Sequence, residues 1–564
     1  MRLPHHYARL CRAFPRHHGE IRLAEIADAL CCSLRHARLL LSQMADQGWL
    51  TWRAGLGRGH PSRLALLADP MALERDVLHA HLARGDIEKA LQTLSREGQK
   101  RLTALLPGYL GMVEGETRAL RLPFYRPLHS LDPAQINRRT ENHLIRQIFD
   151  GLTRYDLSLG RIVPALAHHW QADAGLRHWR FYLRPGVRFH HGRLLDGEDV
   201  RQTLLRLRDE PGPHHGLLAH LTEARLLAPL TIDLLLNRAD ALLPQRLAHA
   251  AASILPRDGW TLPDFGQQPI GTGAFRLAVN NERRAVLQAF EQYWKERPLL
   301  DAVEIWVVND PAIRAKFDAR VILPGEASQN RPQYQQAEPG CSYLAAHPAS
   351  LSHSQRRQLA DWLHPGAWQA RVDDEPAFGM LPQWRHSHAP CHAAPPELPA
   401  ALRLTTYQLD SHIELAEAIA VRLREAGCRV QLDVKSYPDF ARMDWLDQTD
   451  LLLSGEVMGD DIDFGLYQWL FQQAGYRHCL DDTALRWLDA RGQALAAEPS
   501  CAQRWQGYEN CARQLVEQAW LIPLRHHRQN WDAAPEVQGV SLSQCGWMDF
   551  SRLWFSPLVE LPRP

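Results

Sequence analysis

Cysteine is sparse and unpaired along this chain. Its ten cysteines in 564 residues (11, 31, 32, 341, 391, 428, 479, 501, 511 and 545) include no CxxC pair. That excludes a disulfide framework or a cysteine zinc site legible in the sequence, and a reducing compartment fits best. Long apolar runs are missing as well: no stretch reaches the ~18 uninterrupted apolar residues of a membrane-spanning helix. Met1–Arg22 is broken throughout by Arg and His and lacks the apolar core and small-residue cleavage site of a signal peptide. The expected compartment is therefore the cytoplasm, with no membrane partner. Catalytic signatures are absent too, with no Gly-x-Ser-x-Gly elbow, P-loop, HExxH or Cys/His nucleophile pattern. The expectation is a protein that is not an enzyme and carries no cofactor and no metal. Six adjacent histidine pairs (5-6, 17-18, 168-169, 190-191, 214-215 and 526-527) do not change this. Neighbouring side chains point apart on a strand and splay on a helix, so such pairs rarely chelate alone.

What is present is ordinary in bulk and uneven in detail. A hydrophobic content of 45% and a charged content of 23% suit a globular chain, and the length calls for about three or four compact units. The net charge of +0 conceals a gradient, because residues 1–68 hold ten Arg against Glu20, Glu25, Asp28 and Asp46. A segment of +6 on a body of −6 is the footprint of a front end that meets phosphates.

That front end has the spacing of a helix–turn–helix. Leu23, Ile26, Ala27 and Leu30 recur at helical intervals, Cys31-Cys32-Ser33 breaks them, and a second helix runs from about Leu34 to Gln47. Ser33 is its expected N-cap. With Ala37, Leu40, Leu41 and Met44 inward, Arg35, His36, Arg38 and Ser42 point outward, as on a helix entering a major groove. Cys31 stands where glycine is commoner for its easy positive φ. Gly48-Trp49-Leu50-Thr51-Trp52 turns into a strand, residues 53–61 form a basic glycine-rich tip, and Ser62–Leu67 returns. The result is a winged helix in which Arg58, His60 and Arg63 reach backbone or minor groove. Residues 70–115, with Met71, Leu73, Val77, Leu78, Leu82, Leu91 and Leu94, read as two amphipathic linker helices.

The body shows ordered motifs. Leu131-Asp132-Pro133 is followed by a helix from about Thr140 that ends Ile148-Phe149-Asp150-Gly151-Leu152-Thr153. Residues 165–200 place Trp179, Phe181 and Leu183 in alternation with Arg180, Tyr182 and Arg184, which is a half-buried strand. Pro185-Gly186 makes a tight turn, and Asp196 with Asp199 forms a capping box. Pro269-Ile270-Gly271-Thr272-Gly273-Ala274-Phe275, Tyr293-Trp294, Val303-Glu304-Ile305 and Glu414–Ala426 with Gly427 and Arg429–Val434 complete the series. In this order they resemble the family 5, oligopeptide-type solute-binding proteins. The chain as a whole is similar to the SgrR family of transcriptional regulators, in which a winged helix is fused to such a body. Gly48–Trp52 and Gly379-Met380-Leu381-Pro382-Gln383-Trp384 belong to that resemblance.

The resemblance implies a multidomain α/β chain: an α+β winged helix with its linker at 1–115, then a periplasmic-binding-protein-like body of two lobes at 116–564. Lobe I comprises about 116–160, 256–320 and 516–564, an extra subdomain about 161–255, and lobe II about 321–515. It also implies a regulator, an activator in the family pattern, that senses a small molecule such as a sugar phosphate by cleft closure. Its partners are double-stranded promoter DNA, the effector and RNA polymerase. The alternative is a solute- or peptide-binding component of an ABC transporter, which requires export.

Candidate ligand contacts follow. The turn Gly271-Thr272-Gly273 could offer backbone N–H groups to an anion, or serve only as a turn. Trp384 and Tyr437 are candidate aromatic walls or core residues. Asp460 and Asp461, beside Asp463 and Phe464, fall where peptide-binding relatives hold a ligand ammonium. A sugar phosphate would be repelled there and would need arginines instead.

Overall fold

A computed structural model describes residues 3–15, 18–55, 60–70, 72–73, 111–113, 118–136, 138–308, 320–321, 334–364, 374–386, 394–532, 537–541, 543 and 546–556. Most of the expected linker helices at 70–115 lie outside these residues, as does Arg58.

The N-terminal unit runs α1 (Leu3–Ala13), β1 (His18–Ile21), α2 (Leu23–Leu30), α3 (Leu34–Asp46), β2 (Leu50–Arg53) and β3 (Ser62–Leu66). The strands form an antiparallel sheet in the order β1-β3-β2, the topology of a winged helix. Helix α2 buries Ile26, Ala27 and Leu30, and α3 buries Ala37, Leu40, Leu41 and Met44, as the spacing predicts. Cys31 closes α2 in the left-handed conformation (φ 50°, ψ 48°), the glycine-like geometry its position called for. Ser33 accepts from the His36 amide at 3.3 Å and starts α3. Helix α1 and strand β1 were not foreseen. α1 is anchored by Tyr7, which is fully buried. The Tyr7 hydroxyl shares its proton between the carbonyls of Trp49 (2.8 Å) and Ala68 (2.9 Å) and accepts from the Ala68 amide (3.0 Å).

The body is built on two main sheets. In the first lobe, strands Phe275–Asn280, Arg284–Ala289, Ala302–Val307, Ala119–Phe124 and Gly111–Val113 lie side by side. Ala302–Val307 pairs in parallel with Ala119–Phe124. Helix Arg139–Ile148, called the cleft helix below, joins this core through Leu144, Ile145 and Ile148. Trp547, Met548, Phe550 and Leu553 close the same core from the C-terminal end. In the second lobe six strands run in the order Glu375–Pro376, Ile522–His526, Gly340–Ala346, Leu451–Val457, Ala401–Tyr407 and Arg429–Lys435. Ile522–His526 thus completes the second-lobe sheet by pairing with Gly340–Ala346. This corrects the expected return to the first lobe at 516, because an unpaired strand there would leave its backbone groups unsatisfied.

The subdomain has a four-stranded antiparallel sheet (Leu221–Ala228, Thr231–Leu236, His178–Leu183, Ala167–Ala172) under helix Gly197–Asp209. The expected alternation holds: Trp179, Phe181 and Leu183 are buried while Arg180 and Tyr182 are half-buried. Asp196 accepts from the amides of Glu198 and Asp199, and Asp199 completes the capping box. One apolar cluster runs without a break from the subdomain (Leu166, Phe181, Leu243, Ile254) into the second lobe (Tyr343, Phe464, Leu488, Leu515).

Tyr7→Phe should loosen the winged helix alone, since it removes only the hydroxyl that ties α1 to β2 and β3. The expected cost is about 1–3 kcal/mol, read by calorimetry as a fall of roughly 4–8 °C per kcal/mol in the transition of this small unit. An unchanged transition would show that the buried hydroxyl contributes nothing.

Candidate DNA-binding and ligand-binding sites

On α3, Arg35, His36, Arg38 and Ser42 are all exposed, and so is the cap residue Ser33. The wing is pinned at its base, where the Gly55 amide donates to Ser62 Oγ at 3.2 Å. A Cβ at 55 would stand 2.5 Å from the Pro61 carbonyl oxygen, so the close approach of the two wing arms requires glycine there. His60 is exposed beyond this point, and Arg63 projects from β3 opposite Arg53. Seven of the eight DNA-binding candidates therefore stand exposed on one winged-helix unit, with Arg58 outside the described residues.

Between the lobes lies a cleft of about 1660 Å³. Its first wall is the cleft helix, which brings Arg139, Asn142, His143 and Arg146 to the cavity, with Arg138 just before it. These positions recur every three or four residues, so they share one face. Arg138 lies 4.9 Å over the ring of Tyr437 from the second lobe. Burial, and then repulsion from Arg126, hold the Arg138 guanidinium below its ordinary pKa. Arg139 donates to Glu338 at 2.9 Å where the chain passes into the second-lobe sheet. His143 is wedged between Trp547 and Phe550, and burial pushes it down to about 3, so it stays neutral. Asp150, at the end of the helix, is committed to the protein: it accepts from Trp294 Nε1 (2.8 Å), Thr272 Oγ1 (3.1 Å) and Tyr293 Oη (3.3 Å).

The second wall is acidic, and burial raises two of its carboxyls. Burial pushes Glu456 up to about 7, although Gln473 Nε2 donates to it at 2.9 Å. Asp461 caps helix Ile462–Gln472 by accepting from the Phe464 amide at 3.1 Å, and burial raises it to about 6. Asp460 lines the cleft beside it. Asp463 does not act with them, because it pairs with Arg504, whose Nε lies 3.1 Å away.

Of the residues read from the sequence, Tyr437, Asp460 and Asp461 line this cavity. The turn at 271–273 does not, and its expected role as an anion cradle is corrected. The Gly271 amide donates to His190 Nδ1 (3.3 Å) and the Gly273 amide to the Ile148 carbonyl (2.8 Å). Both glycines pass so close to the end of the cleft helix that a Cβ at 271 would sit 2.0 Å from Ile148 O. Thr272 is fully buried. Trp384 is also corrected: it is 6% exposed, stacked on His386 and edge-on to Trp505 in the core. The arginines of the cleft helix and Glu456 were missed. The signal for the former was visible as Arg139, Asn142 or His143, and Arg146 at helical spacing.

One further group has the order of a hydrolytic relay. His527 Nε2 lies 2.5 Å from Ser342 Oγ, and its Nδ1 lies 3.0 Å from Asp374. Ser342 is fully buried in Gly340–Ala346, a strand paired on both edges. His527 lines the cleft but Ser342 does not, and the backbone of its strand is paired on both edges, so the group ties side chains across the sheet. Among the described residues no helix is long and apolar enough to cross a membrane.

Comparison with known proteins agrees with this division. Residues 2–116 match the family described as sugar transport-related sRNA regulator N-term, and residues 161–353 match the middle part of bacterial extracellular solute-binding proteins, family 5. The murein tripeptide binding protein MppA of Escherichia coli shares the fold of the body, with a TM-score of 0.64 and 17% identity over 78% of this chain and 99% of that one. The HTH-type transcriptional regulator SgrR of Yersinia enterocolitica is 32% identical over 99% of both chains. The regulator of the same name from Escherichia coli O1:K1 is 33% identical over 99% of both. With a DNA-binding front end and a solute-binding body matched from end to end, the chain belongs to the SgrR family of HTH-type transcriptional regulators.

Proposed function

We propose that this regulator works in the cytoplasm as an activator, gripping promoter DNA through α3 and its wing while the cleft closes on an anionic, hydroxyl-bearing metabolite. Arg35, His36, Arg38 and Ser42 face base edges, Ser33 and the helix N-terminus meet a phosphate, and His60, Arg63 and Arg58 follow the backbone or minor groove. The bound unit presents the promoter to RNA polymerase. Exposure of four of these side chains along a single capped helix supports the assignment.

The effector class rests on one observation above all. Arg138 is a half-buried cation whose charge is disfavoured by burial and by Arg126, so a bound anion would relieve it. The exposed Arg146 adds a second cation on the same helix face. Glu456 and Asp461 supply hydrogen-bonding oxygens suited to sugar hydroxyls; near neutral pH Glu456 is at its protonation midpoint, while Asp461, raised to about 6, is mostly ionised. Sugar phosphates combine these features. Only an effector that binds the closed form more tightly shifts the equilibrium, and transport by export of this chain has no support from its DNA-binding end.

Arg35→Ala and Arg38→Ala should each weaken promoter binding by ~1–3 kcal/mol, and wild-type binding should fall steeply with salt through counterion release. Undiminished binding by the double variant would remove α3 from the interface. In thermal-shift measurements on the full chain, glucose 6-phosphate should raise the melting temperature, glucose should not, and Arg138→Ala should erase the difference.

The pH response has a definite sign. Glu456 is neutral below about 7 and charged above it, so its charge appears as pH rises and repels a bound anion. A sugar sulfate, whose own charge is constant, should bind on the order of tenfold more weakly at pH 8 than at pH 6. Glu456→Gln should flatten that profile; an equally steep profile in the variant would assign the effect elsewhere.

A further inference from the structure

Two leucines stand on the outer face of α3, where water would favour polar side chains. Leu34 is 52% exposed and Leu39 is 53% exposed. The winged-helix core takes Leu40, Leu41 and Met44 from the same helix and leaves these two out. Their positions relative to the arginines are regular. Leu34 precedes Arg38 by four residues and Leu39 follows Arg35 by four, so on α3 each leucine stands beside a guanidinium. Both lie in the first turn and a half, the part of a recognition helix that reaches base edges.

An apolar group flanked by cations selects an unusual partner. The unit carries +6 over residues 1–68, which suits a polyanion and disfavours a basic protein surface. Duplex DNA is the polyanion that also offers apolar groups at its reading edge, as the C5-methyls of thymine in the major groove. We infer that Leu39, with Leu34, is a specificity-determining residue that packs on thymine methyl groups next to the positions contacted by Arg35 and Arg38. This rests on α3 being the recognition helix. Four residues of α-helix advance about 6 Å, just under two base-pair steps of about 3.4 Å each. The thymine read by Leu39 therefore lies within two base pairs of the guanine or phosphate held by Arg35.

The test uses the full chain and a duplex selected by it from a randomised pool. Each thymine is replaced in turn by uracil, which removes the methyl and leaves every hydrogen-bonding group in place. One or two positions should weaken binding roughly four- to tenfold, the worth of one buried methyl contact. Leu39→Ala should bind the thymine duplex correspondingly less well and no longer distinguish it from the uracil one. Being exposed, Leu39 can be replaced without disturbing the core, and Leu34→Ala provides the second position. Uracil tolerated throughout the two-base-pair window, or discrimination retained in both variants, overturns the inference. If Arg35→Ala and Arg38→Ala still weaken binding in that case, the recognition helix stands and only its apolar reading falls. Selection of no sequence at all overturns the reading of α3 itself. Self-association that is lost in Leu39→Ala, without a thymine effect, gives the leucines to a protein contact and sinks the proposal as well.

Discussion

The guanidinium of Arg246 determines how the two halves of the body relate. It is 1% exposed, pairs with Asp240 at 2.6 Å inside the subdomain, and lies 4.9 Å over the ring of Tyr467 from the second lobe. A cation buried this deeply is held by its carboxylate and its aromatic partner together, and removing one of them leaves an uncompensated charge. The continuous apolar cluster around it makes the subdomain and second lobe a single packed body. Contacts on the other side of the cleft are of a different kind. Arg139 reaches Glu338 with its side chain 48% exposed, and a pair so open to water contributes about 0–1 kcal/mol. The subdomain is tied to the first lobe as well, by Thr153 Oγ1 donating to the Pro244 carbonyl at 2.6 Å and Arg206 to Asp132 at 2.6 Å; on the proposed reading, opening parts the few polar contacts between the cleft helix and the second lobe.

That asymmetry gives the cleft residues their weight. The cleft-helix wall carries Arg138, Arg139 and Arg146, while the facing wall carries Glu456 and Asp461, whose charge depends on pH. A ligand that bridges the two adds interactions only when the walls are near, which is the differential affinity a two-state switch requires. The cation over Tyr437 supplies a first link before any ligand arrives. On the proposed reading, closure and anion binding favour one another because the anion meets cations on one wall and hydrogen-bonding groups on the other.

How much of this the sequence disclosed varied with the kind of constraint. The α2–α3 pair was legible because helical spacing, the Ser33 cap and the unusual Cys31 at the turn all pointed one way. α1 escaped notice because it buries His6, Tyr7 and Ala8 with Leu10, a set without an apolar stripe, and its anchor is a hydroxyl contact to residues 42 and 61 positions away. Gly271 and Gly273 suggested a ligand turn, yet the glycines are there so that two backbones can pass; composition is the same in both cases and only the neighbour differs. Trp384 illustrates the same ambiguity for an aromatic. Glu456 gave no signal, since its high pKa comes from burial by segments distant in sequence.

The front end is preformed, and this limits how an effector acts on it. The left-handed turn at Cys31, the cap at Ser33 and the Tyr7 hydroxyl fix α1, α2 and α3 to the sheet, and none of these contacts involves the body. Reshaping α3 would break several of them together, at a cost comparable with the whole 1–3 kcal/mol typical of coupling between sites. On the proposed reading, an effector in the cleft leaves the reading surface intact and changes where that surface is held, or how freely it can reach a duplex. Regulation of that kind would alter affinity without altering which bases are preferred, because the side chains proposed to meet the bases would keep one arrangement.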